Sequence, residues 1–569
     1  MKKFQTLDGY QVYRIKKDKR FFFLADRENY EYEITKLLNT VEDINFDSLI
    51  LIFGIDTGEY IEKLRNVICP QNKVIIVEPN QSLSNRYQSE IEENIRIVSF
   101  KEELVKKILQ ENINFKNINN VYFYAFGNYS SIYHKEYQCL IKNLDSTLVN
   151  ASAAVSLAKR FKHLFIKNMI ANIKILNQCT PIHYYKFTNQ NVPAIIVSGG
   201  PSLDNNIEDL KKHKDKLSQC FIITGSRTVG ALVKNGIKPD LIVSVDPVDA
   251  NYDMMKDYLN LDTPLAFYEY SNRYLVRDYQ GDKVFISLLF SQTIKAFKNL
   301  QGVYCGGSVA HSCIDIANML GCSPIILIGQ DLAHTFQKHH ADSATHDYDK
   351  TLSYVSQIPV KAINGKMINT TITLEHYKIR LEQYIEKYKR VDFINCSYGA
   401  WIKGAPHKEL DKVLKNLTFS NPKQSLIPKR DIQINNQEVI DTILTVIEKD
   451  MIKAEQGLKL CQDIILDNKQ KSLMEMEDDD IDLQRFLYIL QIVNEFENSL
   501  DSHYLGGYLT HFLFDRKEQT FQISAKDYVK VTSDLQHQAR VFKIYFEKMK
   551  EMLCEVNRLS LETLEEFYE

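Results

Sequence analysis

The sequence predicts an α/β protein whose middle part is a mainly parallel sheet covered by helices on both faces. Between residues 191 and 405, seven apolar runs alternate with helical segments, and several runs end in Gly, Asp or Ser. The runs are AIIVSGG, CFIITGS, LIVSVDP, PLAFYEY, KVFISLLF, PIILIGQD and VDFINCS. Buried strands that alternate with helices are typical of parallel sheets. We expect a ligand at the carboxyl ends of these strands, where their polar residues lie.

The N-terminal part has a Rossmann-like order of elements. The strand SLILIFGI ends at Gly54, DTGEYIEKLRN indicates a turn and a helix, and the strand KVIIVEPN contains Glu78 at its end. Gly54 and Gly58 lack the full G-x-G-x-x-G fingerprint of dinucleotide-binding turns. Two interpretations stay open. The turn holds a nucleotide or S-adenosylmethionine with Glu78 on a ribose, or the domain is a scaffold with an ordinary tight turn.

Composition and periodicity divide the chain into four parts. We predict an N-terminal Rossmann-like domain over 1–150, a connecting helix over 151–190, a central Rossmann-like domain over 191–425 and a C-terminal helical bundle over 426–569. The last part has apolar residues at helical spacing. Two stripes are expected to face its core: Ile443, Ile447, Met451, Ala454 and Leu458, and then Leu483, Leu487, Leu490 and Phe496.

Composition argues against several classes of protein. The 569 residues carry a net charge of −3, which provides no overall field to attract nucleic acid or acidic lipid. No apolar run approaches the ~20 residues of a membrane helix, and the N-terminus lacks the apolar core of a signal peptide. The ten cysteines match no zinc pattern. We therefore expect a cytoplasmic protein with reduced thiols and no metal site, although a need for a divalent metal stays open.

The stretch SGGPSLDNN combines features that favour a phosphate site. Gly199 and Gly200 allow close approach to the backbone, and Pro201 suits the first turn of a helix. The start of a helix offers N–H groups and a positive dipole end to a phosphate. Ser202 either donates its hydroxyl to that phosphate or caps the helix.

Two more strand ends carry candidate ligands. Arg227 can bind a phosphate or a carboxylate through two hydrogen bonds, or it is an ordinary surface arginine. Asp246, followed by Pro247, can hold ribose hydroxyls or a base edge, or it caps the turn. The residues that end the first of these strands and open the next helix are Thr224, Gly225, Ser226 and Arg227.

These motifs resemble the motility accessory factor (Maf) family of bacterial flagellin glycosyltransferases. The segments that carry the resemblance are SGGPSLD, TGSRTVGALVKNGIKPDLIVSVDP, GQDLAH and NCSYGAWIKG. The N-terminal strands and the helical C-terminus are similar in kind to that family's flanking domains. The wider group also contains an archaeal pterin pyrophosphokinase, and the first loop is similar to the N-G-P-S-L segment of some bacterial sialyltransferases.

The resemblance implies transfer of a nonulosonic acid, of pseudaminic or legionaminic type, from its CMP-activated form to serine or threonine of flagellin. The central domain is then catalytic, the CMP-sugar is the donor, and no other cofactor is implied. The donor site implied by the motifs consists of Gly199, Gly200, Pro201, Ser202, Thr224, Gly225, Ser226, Arg227, Asp246, Pro247, Gly306, Gly307, Ser308, Gln330, His334, Ser397 and Gly399.

The implied chemistry needs a base as well as an anion site. Fixed dipoles stabilise the departing phosphate, and a group of near-neutral pKa accepts the proton of the attacking hydroxyl. Histidine suits that role. By the resemblance, His340 in KHHADSA is the base and Asp331 binds or orients, with His339 and His334 as rivals. The family's T-H-A-x-G segment is altered here.

Two other functions stay open. One is an ATP-dependent pterin pyrophosphokinase, which shares the central motifs. The other is a flagellin-binding chaperone without catalysis, whose active part is the helical C-terminus; that region is also expected to recognise flagellin in the enzyme. We further expect a turn at Asn364–Gly365, a helix cap at Thr370, and loss of nucleotide binding on Gly200→Val because a side chain would fill the place of the phosphate.

Overall fold

A computed structural model of the protein describes residues 1–87, 94–114, 117–287, 302–346, 357–428, 434–467, 472–502 and 522–566. The described residues form two compact units. The first unit contains the described parts of Met1–Lys162, Glu448–Asp501 and Leu505–Glu555. The second contains those of His163–Ile447, Ser502–Tyr504 and Val556–Glu569. The C-terminal helical segments are thus divided between the two units.

The described strands are numbered in chain order. They are β1 (Lys2–Gln5), β2 (Gln11–Lys17), β3 (Arg20–Phe23), β4 (Leu49–Phe53), β5 (Lys73–Glu78), β6 (Ile95–Ser99), β7 (Val121–Ala125), β8 (Thr180–Pro181), β9 (Ala194–Val197), β10 (Phe221–Gly225), β11 (Leu241–Ser244), β12 (Leu265–Tyr268), β13 (Lys283–Ile286), β14 (Ile325–Ile328), β15 (Gln357–Lys361), β16 (Met367–Thr371) and β17 (Phe393–Asn395).

The described α-helices are α1 (Tyr30–Thr40), α2 (Tyr60–Arg65), α3 (Gln81–Tyr87), α4 (Glu102–Asn112), α5 (Tyr129–Ile132), α6 (His134–Ile173), α7 (Leu203–Lys212), α8 (Lys214–Leu217), α9 (Ser226–Lys234), α10 (Asp249–Met255), α11 (Arg273–Asp278), α12 (Val309–Leu320), α13 (Ile372–Lys387), α14 (Leu410–Asn416), α15 (Asn436–Asp467), α16 (Ile481–Ser502), α17 (Tyr528–Ser533) and α18 (Leu535–Glu566). Among these helices, none has both the length and the apolar character needed to cross a membrane.

The second unit contains an eight-stranded sheet in which every neighbouring pair is parallel. The strand order is β17-β14-β9-β10-β11-β12-β13-β8. The seven apolar runs of the sequence supply seven of these strands, so the predicted α/β class with a mainly parallel sheet is confirmed. The eighth strand, β8, has only two residues, which is too short to leave a pattern in the sequence.

Helices cover both faces of this sheet because its strands bury side chains on both sides. Ile196 and Ile223 belong to one apolar cluster, whereas their neighbours Ile195 and Ile222 belong to another. This alternation follows the two-residue period of a strand. Helices α12 and α13 pack on the first face, and α7 and α14 on the second.

The strand order places a crevice at the end of β9. This strand lies between β10 and β14, so the sheet extends from it in two directions. In open parallel sheets the loops on either side of such a strand leave to opposite faces, and the gap between them is the usual ligand site. The loop that begins at Ser198 opens at this point.

The first unit has its own parallel sheet, of order β6-β5-β4-β7, and an antiparallel sheet β1-β2-β3. Its C-terminal segments include α15 from Glu448 onward, α16 up to Asp501 and α18 up to Glu555. The first predicted stripe is confirmed at Ile443, Ile447 and Ala454, which are buried, the first two in the second unit and Ala454 in the first.

The second predicted stripe is wrong in part. Leu487 and Leu490 are exposed, while Phe486 and Ile489 face the core. The run LQRFLYILQIV is apolar on more than one face, so spacing alone does not determine which face is buried. The ring of Phe486 packs 6.0 Å from that of Phe542, and this contact selects the buried face.

Candidate functional site

The loop after β9 is held by backbone hydrogen bonds from the neighbouring loop. Ser198 N donates to the carbonyl of Ile328 (2.9 Å), and Gly200 N donates to that of Gly329 (2.8 Å). A Cβ on Gly200 would overlap the carboxylate of Asp331 and the carbonyl of Gly329. Gly200 therefore lacks a side chain so that two loops can pack together. The sequence analysis expected a side chain here to fill the place of a phosphate, but it would instead point at the Asp331 loop.

Ser202 joins three loops through one hydroxyl. The hydroxyl donates to the carboxylate of Asp331 and accepts from Tyr398 N (2.7 Å), and Ser202 N donates to Asp331 Oδ2 (3.0 Å). The alternative of a helix cap is not observed, because the side chain accepts no N–H of α7. Asp331 thus occupies the start of α7, the place that the sequence assigns to a phosphate.

Burial governs the charge state of Asp331. Its side chain is almost completely buried, and this burial raises the pKa of the carboxyl, whereas the hydrogen bonds from Ser202 lower it. The backbone carbonyl of Asp331 accepts from Ala400 N (2.7 Å), and a Cβ on Gly399 would overlap this backbone. Asp331 therefore acts as a fixed joint between the loops after β9, β14 and β17.

Gln330 and Ser397 reinforce the same joint. Gln330 N donates to Ser397 Oγ (2.7 Å), and the amide oxygen of Gln330 accepts from the hydroxyl of Ser198. Asn206, which sequence reasoning missed, accepts from Gly329 N (3.1 Å) and donates to the carbonyl of Cys396 (3.1 Å). The sequence does contain a clue to Asn206: it follows Ser202 by four residues, a spacing that places both residues on the same side of α7.

The structure brings the three candidate histidines together beside this loop. The ring centroids of His334 and His339 are 5.2 Å apart, and those of His339 and His340 are 4.4 Å apart. Nδ1 of His340 lies 3.3 Å from the carbonyl of Gly199. Burial lowers the pKa of His334.

Asp204 in the first turn of α7 attaches the histidine-bearing loop to this helix. It accepts from Asp342 N (2.8 Å) and Ser343 N (3.2 Å). Leu332 and Phe336, in the same segment, have φ angles of 53° and 54°. Such values are uncommon outside glycine, and strained backbone of this kind clusters at functional sites.

The strand-end residues after β10 face mainly inward. The hydroxyl of Thr224 is buried and paired with that of Thr228. A Cβ on Gly225 would lie 2.9 Å from Val309, so α12 packs closely here. The hydroxyl of Ser226 is buried with no hydrogen-bond partner among the described residues.

Arg227 lies against the glycine loop, and its charge acts on Asp246. A Cβ on Gly199 would lie 3.2 Å from Cδ of Arg227, whose guanidinium donates to the carbonyl of Ala344 (3.4 Å). Asp246 retains contact with solvent. Protein atoms around its carboxyl displace water and so raise its pKa, whereas the positive charge of Arg227 lowers it. Pro247 is buried and its carbonyl accepts from Asn168 (2.9 Å).

The small residues before α12 pack against a buried imidazole and an arginine. Gly306 lies against the ring of His311, and Arg380 donates to the carbonyl of Gly306 (3.2 Å). Gly307 lies against Arg380 and Tyr377. Burial lowers the pKa of His311 to about 4, so this imidazole is neutral at pH 7. The side chain of Ser308 caps α12 by accepting from Ala310 N (3.4 Å).

The hairpin β15–β16 contains the predicted turn at Asn364–Gly365, which is confirmed. The predicted cap at Thr370 is wrong by one residue. Thr371 caps α13 by accepting from Leu374 N (3.2 Å), while the hydroxyl of Thr370 donates to the carbonyl of Leu332 (2.8 Å).

In the first unit, the structure favours the scaffold interpretation of the glycine turn. The ring of Tyr129 fills the space beside Gly54. Glu78 is fully buried, and its carboxylate accepts from Ile55 N (2.9 Å), Asn80 N (2.7 Å) and the hydroxyl of Tyr129 (2.9 Å). The groups that would bind a ribose are therefore engaged within the protein.

Comparison with known proteins places this geometry in a fold. A solved structure of a Maf glycosyltransferase from Magnetospirillum magneticum AMB-1 aligns with 100% of this chain and 92% of its own, at a TM-score of 0.57 and 13% identity. The protein has the fold of a Maf glycosyltransferase. The resemblance drawn from the sequence motifs is thereby confirmed for the fold.

Two sequence comparisons cover shorter parts of this Maf-like chain. A family model described as 6-hydroxymethylpterin diphosphokinase MptE-like matches residues 167–337. An uncharacterized protein of Treponema pallidum (strain Nichols) is 29% identical over 102 residues. That match covers 18% of this chain and 45% of the length of the relative.

Proposed function

We propose that the protein is a glycosyltransferase that moves a nonulosonic acid, of pseudaminic or legionaminic type, from its CMP-activated form to serine or threonine hydroxyls of flagellin. The observation that carries the proposal is the convergence of the loops after β9, β10 and β14 at the point where the sheet changes direction. This is where parallel sheets bind nucleotides. The Maf glycosyltransferase fold over the whole chain supports the same reaction class.

The donor phosphate is best placed on the Arg227 side of the crevice. Asp331 already accepts the N–H of Ser202, so a phosphate at the start of α7 would meet a carboxylate. The side chain of Arg227 lies against Gly199, its charge lowers the pKa of Asp246, and its guanidinium suits a phosphate. When the bond between sugar and phosphate breaks, this cation stabilises the negative charge on departing CMP.

The acceptor hydroxyl needs a base, and the sequence resemblance assigns it to the histidines beside the glycine loop. His340 directs Nδ1 at the carbonyl of Gly199, which fits a role in fixing the loop. His334 and His339 adjoin it. The proposal thus includes a donor site at Arg227 and an acceptor site on the exposed rim of the crevice.

Flagellin co-expressed with the protein and with each candidate sugar pathway provides the direct test. Intact-mass measurement is expected to show flagellin heavier by whole nonulosonic acid residues only when both the protein and one pathway are present. A protein without the activity would leave the flagellin mass unchanged with every pathway. Repeating the reaction with purified protein and EDTA determines whether a divalent metal is required.

A second candidate function is an ATP-dependent diphosphokinase acting on a pterin, which the family match over residues 167–337 favours. Both enzymes would place a phosphate near Arg227, but they differ in the nucleoside. We expect CMP, and not ATP, to raise the melting temperature of the protein. Stabilisation by ATP alone, with transfer of diphosphate to a hydroxymethylpterin, would favour the kinase. We further propose that the reaction takes place in the cytoplasm.

A further inference from the structure

The antiparallel sheet β1-β2-β3 of the first unit has one face on which cations and phenylalanines lie side by side. Lys2 of β1 pairs with Arg14 of β2, which pairs in turn with Phe23 of β3. Lys16 and Phe21 form the next pair on the same face. Cross-strand partners share a face of a sheet, as do residues two apart along a strand. Besides the buried Val12, this face carries the six residues that we call the basic–aromatic face: Lys2, Phe4, Arg14, Lys16, Phe21 and Phe23.

The guanidinium of Arg14 lies at the centre of the basic–aromatic face. Its Cζ is 4.4 Å from the ring centroid of Phe21, 5.7 Å from that of Phe4 and 5.8 Å from that of Phe23. Nζ of Lys16 lies 5.8 Å from the centroid of the Phe21 ring. Phe21 is 59% exposed, although it is a large apolar side chain in a strand. A planar cation and an exposed aromatic ring are therefore held next to each other on one surface.

The cations of this face have no acidic partner. Among the residues that the structure describes, no carboxylate oxygen lies within 4.0 Å of the charged nitrogens of Lys2, Arg14 or Lys16. Residues 1–23 contain seven lysines and arginines and two aspartates, a net charge of +5, whereas the whole chain has a net charge of −3. The overall charge of the chain thus conceals a local excess of positive charge, and such an excess attracts a polyanion.

The chemistry of the face distinguishes between polyanions. Single-stranded nucleic acid offers phosphates to cations, and the planes of its bases stack on aromatic rings and on guanidinium groups. An acidic membrane would be bound through apolar side chains that enter the lipid. The tip of the β2–β3 hairpin is instead formed by Asp18 and Lys19, which are both charged. A surface that combines unpaired cations with an exposed ring between them therefore fits a single strand better than a lipid surface.

We propose that the basic–aromatic face binds single-stranded nucleic acid. A base stacks on the ring of Phe21 beside the guanidinium of Arg14. The neighbouring phosphates bind Lys2, Arg14 and Lys16. The binding does not depend on base sequence, because every base has a π-face. The inference is also independent of the proposed transfer reaction, because this sheet belongs to the first unit and the crevice to the second.

The experiment measures the binding of labelled oligouridylate and oligothymidylate, each of about 20 nucleotides, to the full-length protein by fluorescence anisotropy. The wild type is compared with the double variant Lys16→Gln/Phe21→Ala. The matched control is Lys36→Gln/Tyr32→Ala on α1 of the same unit. It also removes an exposed ring, which is 53% exposed, and the lysine whose Nζ lies 4.2 Å from that ring. Melting temperatures verify that all three proteins are folded.

The wild type is expected to bind the strands with a Kd of roughly 1–100 μM at about 0.15 M salt. The logarithm of its affinity should fall with the logarithm of the salt concentration with a slope of about −2, because each of three phosphate contacts contributes about 0.7. The double variant should bind roughly tenfold or more weakly, because it loses a stacked base as well as a phosphate contact. Its slope should be shallower by about 0.7, which a merely structural change would not produce. The control should match the wild type within about two-fold.

Four results would overturn the proposal. They are no binding by the wild type at about 0.1 mM protein in low salt, wild-type affinity and slope in the double variant, equal affinity for duplex DNA, and tighter binding to vesicles of phosphatidylserine and phosphatidylcholine than to either strand. If the double variant melts below the control, Lys16→Gln alone, which keeps the ring, provides the test of the slope. Binding of either strand supports the proposal, and the tighter of the two identifies the ligand as RNA or DNA.

Discussion

Replacing Ser202 by Ala tests whether one hydroxyl holds the three loops of the crevice together. The change removes the hydrogen bond to the Asp331 carboxylate and the one from Tyr398 N. A hydrogen bond to a charged group contributes about 1.5–3 kcal/mol and a neutral one about 1 kcal/mol. Because Asp331 is buried and loses a partner, we expect the free energy of unfolding of the second unit to fall by about 2–4 kcal/mol.

The single tryptophan of the chain provides the assay. Trp401 lies three residues after Tyr398, and its backbone N–H donates to the carbonyl of Lys361 (2.8 Å), so its fluorescence reports on the loop that Ser202 holds. Urea unfolding of Ser202→Ala is compared with that of Ser218→Ala. The control removes an exposed hydroxyl whose one hydrogen bond within the described part of the chain goes to the carbonyl of Asp215, and should cost less than about 0.5 kcal/mol. A loss below about 1 kcal/mol in Ser202→Ala would refute the reasoning.

The same variant has an expected pH dependence. Burial raises the pKa of Asp331, and Ser202 opposes this, so its removal raises that pKa further. A carboxyl with a raised folded pKa destabilises the fold once it ionises, and the loss grows as the pH rises from the unfolded pKa through the folded one. Ser202→Ala should therefore lose more stability at pH 7 than at pH 4. An equal loss at both values would contradict the role given to Asp331.

Three further predictions concern other parts of the molecule. Gly200→Ala should destabilise the second unit and abolish CMP binding, because its Cβ would overlap the carboxylate of Asp331 and the backbone carbonyl of Gly329. Gly199→Ala should fold normally, because its tightest contact, at 3.2 Å, is with the flexible side chain of Arg227, which can shift. Equal melting temperatures of the two variants would contradict this prediction. Burial raises the pKa of Glu78 to about 7, so the free energy of unfolding of the first unit should fall as the pH rises from about 4.5 to 7 and the carboxyl ionises. Pulsed hydrogen exchange of β4 and β5 peptides in urea measures the unfolding midpoint of this unit. A higher urea midpoint at pH 8 than at pH 5 would contradict the prediction. Leu487→Asp, on the exposed face of α16, should weaken flagellin binding in a pull-down without loss of stability. Leu466→Asp, at an exposed position on α15, should leave flagellin binding unchanged. Equal binding by the two variants would show that this face of α16 does not recognise flagellin.

The strands could be predicted because each carries its signal within a few residues. A strand buried on both faces needs an unbroken apolar run, as in AIIV of β9 and IILI of β14, and the polar residue that ends the run marks the edge of the sheet. The turn at Asn364–Gly365 has an equally local signal. In contrast, the buried stripe of α16 was misassigned, because a helix that is apolar on two faces does not determine which one the fold covers.

The sequence by itself determined the class of the fold, the position of the strand ends and the list of polar residues that follow them. Only the tertiary structure decided what each of those residues does. Asp331 and Ser202 are 129 residues apart in the chain, and the hydrogen bonds that occupy both depend on the order of strands in the sheet. The same order leaves the carboxylate of Asp246 exposed beside Arg227, and no local pattern distinguishes these two aspartates. The reason is physical: a side chain's availability depends on which distant groups reach it, and these are set by packing.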